Sequence, residues 1–201
     1  MQLLSSPASP FARTCQVMAL ELGLTDMQVV GVSASPMGGD DAINSANPSG
    51  KIPALIRDDG PAIYDSRVIN RYLDAQVDGG LYPDGRLWDV LALEANANAI
   101  MEAAVGIVYE RRLRPPEYHY EPWMEAQWVK VTRSLDMLEA RSMPLLAGPV
   151  TAAQIAVGCA LGYLDFRHAD RDWRPGRAAL AAWAETFLAR PSMVATAPPA
   201  A

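Results

Sequence analysis

Every stretch of this chain that reads as β-strand lies before Gly85, and that one-sided distribution limits the possible architectures more than any other feature. Gln2-Leu3-Leu4, Met27 to Val32, Ala54-Leu55-Ile56 and Ala62-Ile63-Tyr64 are short apolar or β-branched runs bounded by turn residues. Between them, Phe11, Cys15, Met18 and Leu22 recur at helical spacing, and Val68, Ile69, Tyr72 and Leu73 do so again after Ser66. Asp59-Gly60 between the last two strands predicts a hairpin. Ser33 to Pro48, rich in Ser, Gly, Asp, Asn and Pro, reads as loop with one helical turn. The order is therefore βαβ followed by ββα, in residues 1–77. Residues 78–85, Asp-Gly-Gly-Leu-Tyr-Pro-Asp-Gly, form a linker, and residues 86–201 read as all-α.

In that second part, Arg86 to Arg112 is a long alanine-rich helix ended by Pro115-Pro116. Pro122 to Arg141 is a second helix. Thr151-Ala-Ala-Gln154 has the capping-box pattern and launches a third, to Phe166. A last helix covers roughly Arg177 to Leu188. The uncharged run from Ser142 to Leu164 is broken by Pro144, Gly148 and Pro149, so it reads as a buried helix and no membrane partner is expected.

The first helix carries the strongest chemical signal. Ser9 stands at its N-cap and Pro10 at its first position, so the Ser9 hydroxyl lies where the helix dipole favours an anion. Capping alone would explain the same residue. Asp65-Ser66 repeats the arrangement at the start of the next helix, directly after a strand.

Composition narrows the function classes. A net charge of -6 disfavours nucleic acid, whose phosphates need a basic surface. Cys15 and Cys159 both fall in apolar helical stretches, which fits a reducing, cytoplasmic setting. His119 and His168 have no metal-ligand spacing, so no metal is expected.

Three segments together resemble the soluble glutathione S-transferases, in particular the bacterial serine-bearing kind near the theta, zeta and omega classes. They are Ser9-Pro10-Phe11-Ala12-Arg13, Asn47-Pro48-Ser49-Gly50-Lys51-Ile52-Pro53-Ala54-Leu55, and Asp65-Ser66. The resemblance covers the whole length and implies a thioredoxin-like N-terminal domain plus an all-α C-terminal helical domain. It implies glutathione as co-substrate, with Ser9 as the catalytic residue that holds the thiol as thiolate. Ile52-Pro53 would be a cis turn offering the Ile52 backbone to glutathione, Lys51 would reach a ligand carboxylate, and Asp65 and Ser66 would take the γ-glutamyl group. A small hydrophobic electrophile would meet Phe11, Met101, Val105, Val108 and Tyr109. The reaction would be conjugation, dehalogenation or isomerisation by a homodimer. A glutathione-binding protein of the same fold without efficient chemistry, and thiol-disulfide chemistry at Cys15, are the alternatives. No tyrosine occupies the Ser6-Pro7 loop, which rules out a tyrosine-type mechanism.

Overall fold

The computed structural model describes residues 1–199. Contacts divide the chain into two units, Met1–Gly85 with the segment from Pro191 onward, and Arg86–Arg190.

In the first unit, β1 (Gln2–Ser5), β2 (Gln28–Gly31), β5 (Ala54–Arg57) and β6 (Gly60–Ile63) form one sheet in the order β2-β1-β5-β6. A two-residue pair, β3 (Ala34–Ser35) and β4 (Gly38–Gly39), stands apart from it. β1 runs parallel to β2 and antiparallel to β5, and β5 is antiparallel to β6. Leu3 and Leu4 point to opposite faces of β1 yet are 0% and 2% exposed, so both faces are covered. Helices α1 (Pro10–Glu21) and α3 (Ser66–Val77) pack on one another and on the sheet, while Leu4 joins Ile43 and Ala54 in a separate cluster under α2 (Asp41–Ala46). The loop expected over Ser33 to Pro48 is thus more structured than its composition suggests. Ile43, fully buried, supplies the tertiary anchor that local propensity lacks.

α1 stops where glycine permits it. Gly23 has φ +72, and Leu24 N–H returns to the Ala19 carbonyl at 2.8 Å.

In the second unit, α4 (Leu87–Leu113) packs against both α5 (Glu121–Met137) and α7 (Ala152–Arg167). Asp84–Leu113 is long and apolar enough to cross a bilayer, but 56% of its apolar window is buried inside the protein, as in a core helix. α7 is buried nearly all round, which explains its lack of a single apolar stripe. The helix expected to run from Pro122 to Arg141 instead passes at Leu138–Ser142 into a π-helical turn, and α6 (Met143–Leu146) follows. α8 (Ala178–Leu188) completes the unit.

The expectation of one helical domain to the C-terminus meets a difference at Arg190. The short α9 (Pro191–Ala195) belongs to the first unit, because Arg13, only 8% exposed, donates from Nη2 to the Met193 carbonyl at 2.9 Å and from Nε to Thr196 Oγ1 at 3.4 Å.

The capping box forms as the sequence predicts. Thr151 Oγ1 accepts from Ala153 N–H at 3.3 Å, and Gln154 Oε1 accepts from Thr151 N–H at 3.0 Å. Gln154 also donates from Nε2 to the Leu145 and Pro149 carbonyls at 3.0 and 2.7 Å, fastening the preceding loop. Thr151→Ala removes the forward bond and the hydroxyl's own bond to Gln154 Oε1, leaving the Thr151 N–H bond in place, so urea unfolding should show a loss of about 1 kcal/mol.

His168 is a core residue, 1% exposed. Its Nε2 sits 3.0 Å from the Ala104 carbonyl, which assigns the proton there, while Nδ1 is buried without a partner. Burial holds its pKa below the ordinary 6.5, against the Ala104 bond and Asp170 and with Arg111 and Arg171. The unfolded chain therefore takes up this proton more readily than the folded one. Stability is complete above about pH 6.5 and falls as pH drops toward and through the lower folded value, by at most about 1.4 kcal/mol per pH unit. Urea titrations between neutral and mildly acidic pH should show this slope, and His168→Gln should flatten it.

Candidate active site

The strand directions bring the three sequence segments to one end of the sheet. β1 ends at Ser5 and leads to Ser9; Leu4 pairs with Ala54, so β5 begins at that same end, directly after Ile52-Pro53. β6 returns antiparallel to β5, with Ile63 opposite Leu55, and delivers Asp65-Ser66 there as well. The N-termini of α1 and α3 thus share an edge with the Ile52 backbone, and two positive helix ends face one region.

At α1, Ser9 is the N-cap, with extended backbone at φ -83 and ψ 117. Its Oγ accepts from Ala12 N–H at 3.2 Å, its N–H donates to the Ser6 carbonyl at 2.9 Å, and its carbonyl accepts from Arg13 N–H at 3.1 Å. Backbone and side chain are fixed from three directions. Among the described residues nothing accepts the hydroxyl proton, so Ser9 retains a donor at the helix end. The cap and the chemical role are compatible in a single rotamer.

The Ile52–Pro53 peptide is cis, and so is Tyr64–Asp65, which the sequence did not suggest. Neither the N–H nor the carbonyl of Ile52 bonds to another described residue. The segment before it is held by a residue to which the sequence assigned no role of its own. Asn47, 3% exposed, donates from Nδ2 to the Lys51 carbonyl at 2.7 Å, and its Oδ1 accepts from Ser49 N–H at 3.0 Å and Ser49 Oγ at 2.8 Å. Its own carbonyl accepts from Gly50 N–H at 2.8 Å. The Lys51 side chain itself is exposed.

At α3 the N-cap is Asp65. Its Oδ1 accepts from Arg67 N–H at 3.0 Å and its Oδ2 pairs with Arg67 Nη2 at 2.9 Å. Partial burial raises its pKa, but the Arg67 hydrogen bonds and charge outweigh this and hold the carboxyl below its ordinary range. Half exposed and ionised, it has lone pairs left for an ammonium group. Ser66 is 3% exposed, and its hydroxyl bonds to no described residue.

Cys15 lies beneath this edge at 0% exposure, its thiol directed at the Ser66 carbonyl at 3.7 Å and the Phe11 carbonyl at 3.8 Å. A sealed thiol between two helices is a packing group, and dithiol chemistry loses its support. Of the substrate-side residues, Phe11 is half-buried in the first unit; in the second, Val105 and Val108 are half-buried and Tyr109 is 37% exposed. Met101, at 0% exposure, is a core residue and does not fit the expected substrate role.

A four-stranded mixed sheet flanked by helices, with a cis-proline turn beside a capped helix, followed by an all-helical unit, defines a thioredoxin-like domain joined to a helical domain. Residues 8–76 match the family model of the glutathione S-transferase N-terminal domain and residues 121–186 that of the C-terminal domain. The "Uncharacterized GST-like protein YibF" of Escherichia coli strain K12 is 34% identical over the full length of both chains. A glutathione transferase family member from Pseudomonas fluorescens Pf-5, solved with bound glutathione, is 46% identical, covers 98% of each chain and superposes with a TM-score of 0.96. A second structure from that organism holds S-(propanoic acid)-glutathione, at 44% identity and a TM-score of 0.91 over 99% of this chain and 100% of that one. The chain belongs to the glutathione S-transferase family.

Proposed function

We propose that the protein is a glutathione transferase in which the Ser9 hydroxyl donates a hydrogen bond to the glutathione sulfur and favours its thiolate. The observation that carries this reading is a fixed serine at a helix N-terminus whose proton no described residue accepts, on the same sheet edge as Ile52 and Ser66. The positive end of α1 adds to the donor, and both favour S⁻ over S–H. The sulfur then forms a bond to the electrophilic carbon, the leaving group departs with its electron pair, and the thiol proton passes to solvent. The nucleophile activated is the co-substrate's, so no covalent enzyme intermediate forms.

Glutathione itself would lie along this edge. The Ile52 N–H and carbonyl pair with its cysteinyl backbone in the manner of an added strand. Ser66 and the α3 N-terminus take the γ-glutamyl carboxylate, Asp65 its ammonium group, and Lys51 the other carboxylate. The glutathione found in a relative 46% identical supports this, and the thioether S-(propanoic acid)-glutathione in another supports conjugation as the reaction type. Phe11, Val105, Val108 and Tyr109 remain the groups offered to an apolar electrophile. Homodimerisation and a cytoplasmic location belong to the same proposal.

The deciding experiment titrates the ultraviolet absorbance of the bound glutathione thiolate against pH, alongside turnover of a panel of alkyl and aryl halides. A thiol pKa one or more units below that of free glutathione, with turnover, supports the reading. Tight binding with an unshifted pKa and no turnover would make this a binding protein of the same fold. A monomeric mass by sedimentation at micromolar concentration would remove the dimer.

A further inference from the structure

α1 and α3 bury polar side chains against one another. On the inner face of α3, Ile69 and Leu73 are apolar and fully buried, yet Asn70 stands between them in sequence at 2% exposure. An asparagine buried between two helices costs stability that a well-packed leucine would not. Its carbonyl shows the cost directly: Asn70 Oδ1 is sealed from solvent and has no hydrogen-bond partner.

The other end of the amide holds α1. Asn70 Nδ2 donates to Thr14 Oγ1 at 3.4 Å, and Thr14 Oγ1 donates in turn to the Phe11 carbonyl at 2.7 Å. The single Thr14 hydroxyl proton is thereby used, so its oxygen accepts from Asn70, which fixes the end of the amide that faces α1. A second contact runs beside this one, the Cys15 thiol being directed at the Phe11 carbonyl at 3.8 Å and at the Ser66 carbonyl at 3.7 Å.

These contacts end at the two helix starts. Phe11 follows Ser9 in the first turn of α1, Ser66 is the first residue of α3, and Asn70 lies one turn further on. All of them lie within the first unit. Apolar side chains alone define the register of two packed helices loosely, whereas a buried polar contact selects one register at a cost in stability. Register matters at this edge because a tripeptide of fixed bond lengths has to bring its sulfur to the Ser9 hydroxyl and its γ-glutamyl carboxylate to the α3 N-terminus at once. A slip on the order of 1 Å is enough to spoil such an alignment.

We propose that Asn70 and Thr14 are positioning residues, whose buried bridge sets the register of α1 against α3 and with it the distance between the Ser9 hydroxyl and the Ser66 end of α3. That glutathione spans this distance rests on the transferase reading above; the bridge itself does not.

Urea unfolding, calorimetry with glutathione and the thiolate absorbance of the bound tripeptide test this on the full chain. Asn70→Leu keeps the branched shape and removes both ends of the amide. It should unfold at a urea concentration equal to or above that of wild type, because the orphaned carbonyl is gone. Glutathione should nevertheless bind about tenfold more weakly, the equivalent of one charge-assisted hydrogen bond, and its thiol pKa should move back toward the free value. Thr14→Ser should do the reverse, losing a buried methyl group and some stability while binding glutathione as wild type does. Thr14→Val keeps the shape without the hydroxyl and should weaken binding as much as Asn70→Leu. The double variant Thr14→Val/Asn70→Leu should lose no more affinity than either single one, because all three break the same bridge. Wild-type affinity and thiol pKa in Asn70→Leu, or in Thr14→Val should the leucine variant not fold, overturn the proposal, as do fully additive losses in the double variant. If wild type binds no glutathione, the transferase reading fails instead, and crystal structures of wild type and Asn70→Leu decide the bridge: an α1 displaced along α3 sustains it, and coincident helices remove it.

Discussion

Replacing Ser9 with alanine should lower turnover about ten- to hundredfold while glutathione still binds. The range follows from the donor removed: a hydrogen bond to a charged group contributes roughly 1.5–3 kcal/mol, and about 1.4 kcal/mol is a factor of ten. The thiol pKa of the bound tripeptide should rise by one to two units, displacing the pH profile of kcat/KM to alkaline values. Alanine also removes the acceptor for Ala12 N–H, which costs about 1 kcal/mol of stability. Ser9→Gly separates the two effects. Glycine is itself a tolerated N-cap and costs only a few tenths of a kcal/mol. Turnover should therefore fall alike in both variants, whereas the melting temperature falls mainly in the alanine form. Ser9→Thr keeps hydroxyl and cap and should recover most of the activity. Equal turnover in Ser9→Gly and wild type would remove the hydroxyl from the mechanism.

The elements legible from sequence are those whose cause is local. Ser9-Pro10 starts a helix because both residues act on adjacent backbone, and Thr151 with Gln154 caps one for the same reason. The hairpin of β5 and β6 and the linker before Arg86 follow from glycine, proline and aspartate chemistry at those positions. The elements whose extent and placement the sequence left open depend on distant partners. α2 exists because Ile43 reaches Leu4 and Ala54, and α9 lies on the first unit because Arg13, far earlier in the chain, takes the Met193 carbonyl. The site shows the same division. Ser9, Ile52 and Ser66 were reachable through motif and resemblance, but that they share a sheet edge follows from strand directions, and Met101 looked like a pocket residue only until its burial was known.

Asn47 is the residue whose importance least resembles its sequence reading. Asn47→Ala should destabilise the fold by about 3 kcal/mol and raise the KM for glutathione about tenfold, with a smaller change in kcat. Three side-chain hydrogen bonds disappear, to the Lys51 carbonyl, Ser49 N–H and Ser49 Oγ, each contributing roughly 0.5–1.5 kcal/mol net. The segment from Asn47 to Lys51 then keeps the backbone bonds of Asn47 N–H to the Ile43 carbonyl and of Gly50 N–H to the Asn47 carbonyl, and neither reaches Lys51. Lys51 and Ile52, which would meet the ligand backbone, lose their fixed positions, and the ordering that the folded protein had supplied falls instead on binding. Asn47→Asp identifies the bond that matters. Aspartate keeps an acceptor for Ser49 but sets a carboxylate against the Lys51 carbonyl, where the amide had donated. If the Lys51 bond positions the edge, Asn47→Asp should raise the KM at least as much as alanine does, whereas Ser49→Ala, which loses the Oγ bond to Asn47 Oδ1 but keeps the Ser49 N–H and Lys51 carbonyl bonds, should leave it within twofold. Urea unfolding and steady-state kinetics on the three variants decide it, since a purely structural asparagine would lower stability in Asn47→Asp without moving the KM.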